Sequence, residues 1–157
     1  MRENAVREQL SRLLDWEEAH VGFDKAVDGI PADLRGACAT GFEHSPWQLV
    51  EHMRLAQEDI LAFCLDANYE NSLKWPDDYW PRPTPPSHEA WKESIESFKR
   101  SREKMKALAR DVEDLTARVP TGKGNQTYLR AILLVADHTT YHVGQLVTVR
   151  RALGIWK

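Results

Sequence analysis

The chain has few of the features that mark a secreted or membrane protein. Its 157 residues include only two cysteines, Cys38 and Cys64, and these form neither a disulfide framework nor a C-x-x-C pair. No apolar run approaches the roughly 20 residues that span a bilayer, and the charged start MRENAVREQLSRLL lacks the apolar core of a secretory signal. We therefore predict a cytoplasmic protein with two free thiols and no membrane partner.

The chain also lacks an excess of positive charge. Its formal net charge of -3 provides no basic field of the kind that phosphate-backbone binding requires, which argues against nucleic acid as the principal partner. A chain of this length can bury one stable hydrophobic core, whereas two separate domains would each have a core of marginal stability. We predict one domain over residues 1–157.

Strand-like alternation and hairpin turn pairs are absent, and apolar residues instead recur at helical spacing. Ser45 followed by Pro46, and later Ser87, are typical of helix starts, and Gly154 is typical of a helix end. The predicted helices cover residues 3–28, 45–66, 87–110 and 127–153.

The connections between these helices differ in length. Residues 29–44 are broken by glycine and proline and predict a loop. Residues 67–87 hold five of the eight prolines, which excludes a continued helix and predicts a long ordered crossover. Such a crossover lets the chain return to the starting end of a bundle. The expected fold is all-α, a four-helix bundle with a long crossover between the second and third helices.

Three histidines of this bundle are candidate metal ligands. His138 and His142 lie one helical turn apart, so their imidazoles project from the same face of the last helix. His52 lies on or beside the apolar stripe of the second helix and could supply a third ligand. Neutral imidazole binds zinc, nickel or iron, and three protein ligands leave one coordination position open, as in catalytic sites.

Other interpretations of these histidines remain open at this point. A single histidine on an apolar helix face is more often a hydrogen-bonded core residue than a ligand, and a pair at this spacing also arises by chance. Haem is a further alternative, although helical bundles that bind haem usually present axial ligands without a clustered triad.

Two segments of the chain resemble the DinB-like superfamily. SPWQLVEHMRLAQEDIL at residues 45–61 is similar to the family's tryptophan-then-histidine opening of the second helix. DHTTYHVGQLVTVRRALG at residues 137–154 is similar to its H-x-x-x-H-x-G-Q signature with a trailing arginine and glycine. Helix order, the crossover and chain length also match, so the resemblance covers nearly the whole chain.

The resemblance implies a bundle of up-down-down-up topology and a divalent metal ion, zinc, nickel or iron, held by His52, His138 and His142. It also implies a homodimer. Many members have arginine after the last ligand, where this chain has Val143, so any role of that arginine does not carry over.

Four further residues are candidates for the surroundings of the metal. His20 lies near the edge of the inward face of the first helix and could be a fourth ligand or a substrate contact, and Asp24 could share that surface. Tyr141 and Gln145 are placed to close the site or to hydrogen-bond a neighbouring helix, although Tyr141 could equally be a packing residue. We interpret Gly144 as permitting close approach of another helix. His44 is expected to be an exposed loop residue.

Two functions of different classes are compatible with this pattern. Characterised members of the resembling family use the metal to activate a low-molecular-weight thiol, as in thiol S-transferases and a mycothiol-dependent isomerase. By that resemblance the chain is a metal-dependent enzyme that brings a small thiol to an electrophilic small-molecule substrate. The alternative is a non-catalytic, stress-related helical dimer with a structural metal, which would gain support if His20 or Asp24 completed the coordination sphere.

Overall fold

The computed structural model describes residues 2–156 and is built of helices. Within these residues the one β-type pairing is an isolated bridge between Arg118 and Thr127. The all-α prediction is therefore confirmed. The helices are α1 (Arg2–Leu13), α2 (Phe23–Val27), α3 (Pro46–Leu65), α4 (His88–Asp111) and α5 (Tyr128–Ala152).

The prediction of one continuous first helix over residues 3–28 is wrong. The chain leaves the helical path after Leu13 and resumes it only at Phe23. The Glu17 side chain accepts a hydrogen bond from the Gly22 backbone N–H at 3.2 Å, and Gly22 is the extended N-cap of α2. Apolar spacing continues through this segment, but the turn is set by these local contacts. Between residues 2 and 156 the chain therefore forms five α-helices where four were expected.

The starts of the three long helices are confirmed, and two of them have the predicted caps, Ser45 and Ser87. Ser45 and Gln48 form a reciprocal capping box, with Gln48 N donating to Ser45 Oγ at 3.2 Å and Ser45 N donating to Gln48 Oε1 at 3.1 Å. Ser87 and Thr127 cap α4 and α5 through their side-chain oxygens. These caps define where α3 and α5, the two helices with the candidate ligands, begin.

Helix α3 packs against both α4 and α5. One group of buried side chains, around Val50, Phe98 and Leu146, lies in the half of the molecule that contains His52. A second group, around Met105 and Ile132, lies beyond it. The burial of these side chains keeps the histidine-bearing faces of α3 and α5 towards each other. The up-down-down-up order and the single-domain organisation stay predictions.

The crossover is fastened to α3 by side-chain hydrogen bonds. Gln48 Nε2 donates to the Pro81 carbonyl at 2.9 Å. The Asp59 carboxylate accepts hydrogen bonds from the hydroxyls of Tyr69 at 2.6 Å and Tyr79 at 2.8 Å. The crossover between α3 and α4 is thus an ordered part of the structure, as predicted.

Cys38 is exposed and Cys64 is buried, and both are free thiols, as the sequence predicted. None of the helices between residues 2 and 156 combines the length and the apolar character that crossing a membrane would need.

Candidate metal centre

The structure brings His52 of α3 together with His138 and His142 of α5. One ring nitrogen from each of the three lies within 4.8 Å of the others. The Nε2 atoms of His52 and His138 are 3.0 Å apart, although 86 residues separate them in sequence. The packing of α3 on α5 therefore assembles the three side chains that the sequence pattern singled out.

Burial sets the protonation state of this cluster. His52 is 1% exposed and His142 is 7% exposed. Because burial disfavours the charged imidazolium, the pKa of His52 and that of His138 are each lowered to about 4, and the pKa of His142 is lowered as well. The proximity of the rings lowers the pKa of His52 and His138 further. At neutral pH all three are therefore neutral imidazoles, the form that binds a metal ion.

Hydrogen bonds fix the tautomers of two of these rings. His52 Nδ1 lies 3.0 Å from the backbone carbonyl oxygen of Tyr79, and His142 Nδ1 lies 2.6 Å from Gln145 Oε1. Both partners are acceptors, so each Nδ1 carries the proton and donates it. The Nε2 atom of His52 and that of His142 are then unprotonated, and His52 Nε2 faces His138 Nε2 at 3.0 Å. Such outer hydrogen bonds at Nδ1 are usual for histidines that bind metals.

The donor set fits a divalent ion. Two imidazole nitrogens at about 2.0–2.1 Å from a tetrahedral zinc ion are roughly 3.3 Å apart. The separation of 3.0 Å between the Nε2 atoms of His52 and His138 is close to that value. Three neutral nitrogens, two with their lone pairs oriented by hydrogen bonds, suit zinc, nickel or iron.

Trp80 of the crossover covers one side of the cluster. Its ring stacks on His52, with centroids 3.8 Å apart and 5° between planes, and its other face stacks on His44 at 3.8 Å and 8°. The expectation that His44 is an exposed loop residue is therefore wrong, because this stacking leaves it half-buried. Trp75 lies nearby, with its ring 6.5 Å from that of His52, and is 71% exposed.

The structure does not bring His20 or Asp24 into the histidine cluster. His20 is exposed, and its Nδ1 lies 2.9 Å from the Val21 carbonyl. The Asp24 carboxylate accepts a hydrogen bond from Arg102 at 2.6 Å and lies 3.4 Å from Lys99 Nζ. The Asp24 carboxylate is thus paired with two cationic side chains of α4, Arg102 and Lys99, and this contact helps α2 pack against α4.

Tyr141 and Gln145 do lie beside the cluster. The Gln145 side chain accepts a hydrogen bond from His142 Nδ1 through Oε1, and Gln145 Nε2 donates to the Tyr141 hydroxyl at 3.3 Å. The Tyr141 ring lies 4.9 Å from that of His142 and is 63% exposed, so Tyr141 is not a core packing residue. Gly144 has no heavy atom within 4 Å of the position a Cβ would take, so our interpretation of it as a site of close helix approach is wrong.

Sequence reasoning missed two contributions from the crossover, the Tyr79 carbonyl and the Trp80 ring. Any residue type provides a backbone carbonyl, so the sequence contains no signal for the first. The density of aromatic residues in the crossover was a signal for the second, but it did not identify which ring would contact His52. Val143, which follows the last candidate ligand, is buried in the core.

The comparison with protein families agrees with this geometry. A family model described as DinB superfamily matches residues 15–146, which include all three clustered histidines. No curated protein and no solved structure matches the chain. The family match covers most of the chain, and the chain therefore belongs to the DinB superfamily.

Proposed function

We propose that this protein is a divalent-metal-dependent enzyme in which His52, His138 and His142 hold the ion. We propose further that its reaction is the transfer of a low-molecular-weight thiol to an electrophilic small molecule, or a related thiol-dependent reaction. The single observation that carries the proposal is the convergence of three neutral imidazole nitrogens within 4.8 Å.

The number of ligands favours catalysis over a structural role. Structural zinc sites usually have four protein ligands, often including cysteine, whereas catalytic sites usually have three and one open position. In the described part of the chain the group has three members. His20, Asp24 and both cysteines lie outside it, so the alternative of a closed, non-catalytic metal site loses the fourth ligand that it requires.

The surroundings of the cluster suit such a reaction. A bound divalent ion would supply Lewis acidity, which lowers the pKa of a coordinated water or thiol. The Tyr79 carbonyl and Gln145 hold two of the imidazoles in the tautomer that presents Nε2. Trp80 shields one side of His52 from water. Tyr141, exposed beside His142, presents its hydroxyl where a substrate could accept a hydrogen bond from it.

Several finer points belong to the same proposal. We propose zinc, nickel or iron as the ion, a homodimer as the assembly and the cytoplasm as the location. The up-down-down-up order of the bundle is also part of the proposal. The family match and the three-histidine group support a bound divalent ion, and the helical fold is compatible with the proposed bundle.

The proposal is tested by replacing the native ion with Co(II) and recording the visible spectrum during titration with 2-mercaptoethanol. A new absorption band that saturates with thiol is expected, because an open coordination position admits sulfur. The matched control is the thiol's alcohol analogue, ethylene glycol, which should leave that band absent. A spectrum that thiol does not change would contradict the thiol-dependent function.

A further inference from the structure

A cavity of about 400 Å³ lies directly beside the metal centre. One wall is the loop before α3, with Phe42, Glu43 and His44, and the opposite wall is α5, with Gly144 and Gln145. Cavities of this size are typical of small-molecule sites. None of the three histidines of the metal centre lines it.

Gly144 is the first indication that this space is for a ligand. It lies inside α5, where glycine is less favourable than alanine. A Cβ at Gly144 would have no heavy atom within 4 Å, so close packing does not explain the glycine. The residue is also helical and needs no positive φ. The space that a side chain would occupy opens into the cavity. The glycine therefore leaves room in the cavity for a ligand.

Two residues of the cavity wall also contact the metal centre. Gln145 accepts the proton of His142 Nδ1 at 2.6 Å, and His44 stacks on Trp80, which stacks in turn on His52. A molecule in the cavity therefore touches Gln145, which orients His142, and His44, which is separated from His52 by the Trp80 ring. This places the cavity next to the reaction centre.

The lining has an apolar base and an acceptor-rich rim. Leu49 and Val149, with 1% and 2% exposure, form its floor together with Phe42. The Thr148 hydroxyl donates to the Gly144 carbonyl at 2.8 Å, which leaves its own oxygen free to accept. The Glu43 side chain is exposed at the rim, and its carboxylate has no ion pair or hydrogen bond within residues 2–156. An unneutralised carboxylate beside an apolar floor suits a ligand with a hydrocarbon part and a cationic amino group.

We propose that this cavity binds the amino-bearing, partly apolar portion of the enzyme's small-molecule substrate, with the ammonium group on Glu43 and the hydrocarbon part over Gly144. The role of this ligand as a substrate rests on the proposed metal-dependent function. Binding itself involves residues that do not hold the ion, so it is measurable in the metal-free protein.

The probe is n-pentylamine, compared with n-pentanol and hexanoate, which share its pentyl chain and differ in charge. Each is titrated into metal-free protein labelled with ¹⁵N while the amide signals of Gly41, Gly144 and Thr148 are followed. The amine is expected to shift these signals and to bind at least severalfold more tightly than the alcohol, with the carboxylate weakest. The same affinity for all three probes, or no shift at Gly144, would overturn the inference.

Two variants test the apolar contact at Gly144 and the charge contact at Glu43 separately. Gly144→Ala should fold at least as well as the parent, because alanine is favoured in helices, and should lose most of its affinity for the amine. Glu43→Gln should reduce the affinity for the amine to that for the alcohol. Thr140→Ala, at an exposed position of the same helix, is the control and should bind as the parent does. An unchanged affinity in Gly144→Ala would contradict the proposal.

This experiment also keeps the inference apart from the metal proposal. If the amine binds the metal-free protein but the purified protein takes up no divalent ion, the cavity is confirmed and the metal-dependent function fails. If the ion binds and the amine does not, the inference about the cavity fails alone.

Discussion

The Nδ1 atom of His52 lies 3.0 Å from the backbone carbonyl oxygen of Tyr79, 27 residues further along the chain. The crossover between α3 and α4 is therefore part of the candidate metal centre. The hydroxyl of the same tyrosine donates to Asp59 at 2.8 Å. Asp59 of α3 thus holds the residue whose carbonyl orients His52.

This relationship predicts that Asp59 controls metal affinity without touching the ion. Asp59→Asn should lower the affinity of the protein for Zn²⁺ by about 10-fold, at the lower end of the effects seen when outer partners of metal ligands are removed. The reason is that asparagine has an NH2 donor in place of one of the two carboxylate oxygens, which each accept a hydrogen bond from one of the tyrosines Tyr69 and Tyr79. Competitive titration against a chromophoric chelator measures the change.

The control for this variant is Glu58→Gln, at the neighbouring position. Glu58 pairs with Arg54 on the surface of α3, one turn away. Its loss should leave the affinity for Zn²⁺ unchanged. Equal affinities in the Asp59 and Glu58 variants would show that the tyrosine contacts do not position His52.

The same contacts predict an unusual titration of the tyrosines. Burial and the hydrogen bond to Asp59 raise the pKa of Tyr79 to about 12, and the same two causes raise the pKa of Tyr69. Of the four tyrosines, these two should ionise well above the ordinary value of about 10. Ultraviolet absorbance of the phenolate follows the titration in parent and Asp59→Asn proteins. Complete ionisation near the ordinary value in the folded parent would contradict the contact.

The buried histidines predict how the metal-free protein responds to acid. In the unfolded chain an imidazole has a pKa of about 6.5, whereas in the fold the pKa of His52 and that of His138 are about 4. Between these values the unfolded state binds more protons, so the free energy of unfolding falls as the pH falls through this window. Above about pH 6.5 both states have neutral rings, and this contribution no longer varies with pH.

Urea unfolding in the presence of a chelator, at intervals between pH 7 and pH 4, measures this effect. His138→Gln should show a smaller loss of stability across the window, because it removes one of the groups that must be protonated on unfolding. His20→Gln, at an exposed position away from the cluster, is the matched control and should retain the parental pH dependence. The same slope in the His138 variant and in the parent would count against burial of neutral imidazoles.

Gln145 should matter more than Tyr141 for metal binding. Gln145→Ala removes the acceptor of the His142 Nδ1 proton and should weaken binding of Zn²⁺ by about 10- to 100-fold. Tyr141→Phe removes only an exposed hydroxyl that lies 3.3 Å from Gln145 Nε2 and should have a small effect. Isothermal titration calorimetry compares the two variants with the parent. A larger loss in the Tyr141 variant would mean that Gln145 does not orient His142.

The features that could be predicted from the sequence are those set by neighbouring residues. The start of α3 was predictable because Ser45 and Gln48 lie within one turn and form their capping box locally. The same holds for His138 and His142, whose shared face follows from helix geometry. The approach of His52 was predictable because the apolar stripe of α3 indicated which side faces the core, and the family resemblance implied the same residue.

The features that could not be predicted depend on partners far along the chain. Asp24 has the spacing of a candidate ligand, but Arg102 of α4 takes its carboxylate, and nothing near Asp24 in the sequence reveals that contact. Trp80 could be assigned to the crossover but not to the face of His52. The open space beside Gly144 could not be predicted either, because the loop before α3, about 100 residues earlier in the chain, forms the other wall of the cavity.

The most direct test of the account is the metal content of the purified protein and of a His138→Ala, His142→Ala double variant. Inductively coupled plasma mass spectrometry gives the content, and circular dichroism checks that the double variant remains helical. His20→Ala serves as the matched histidine control. The account predicts a stoichiometric divalent ion in the parent and in the His20 variant, and its loss from the double variant. Equal metal content in the parent and a helical double variant would contradict the three-histidine site.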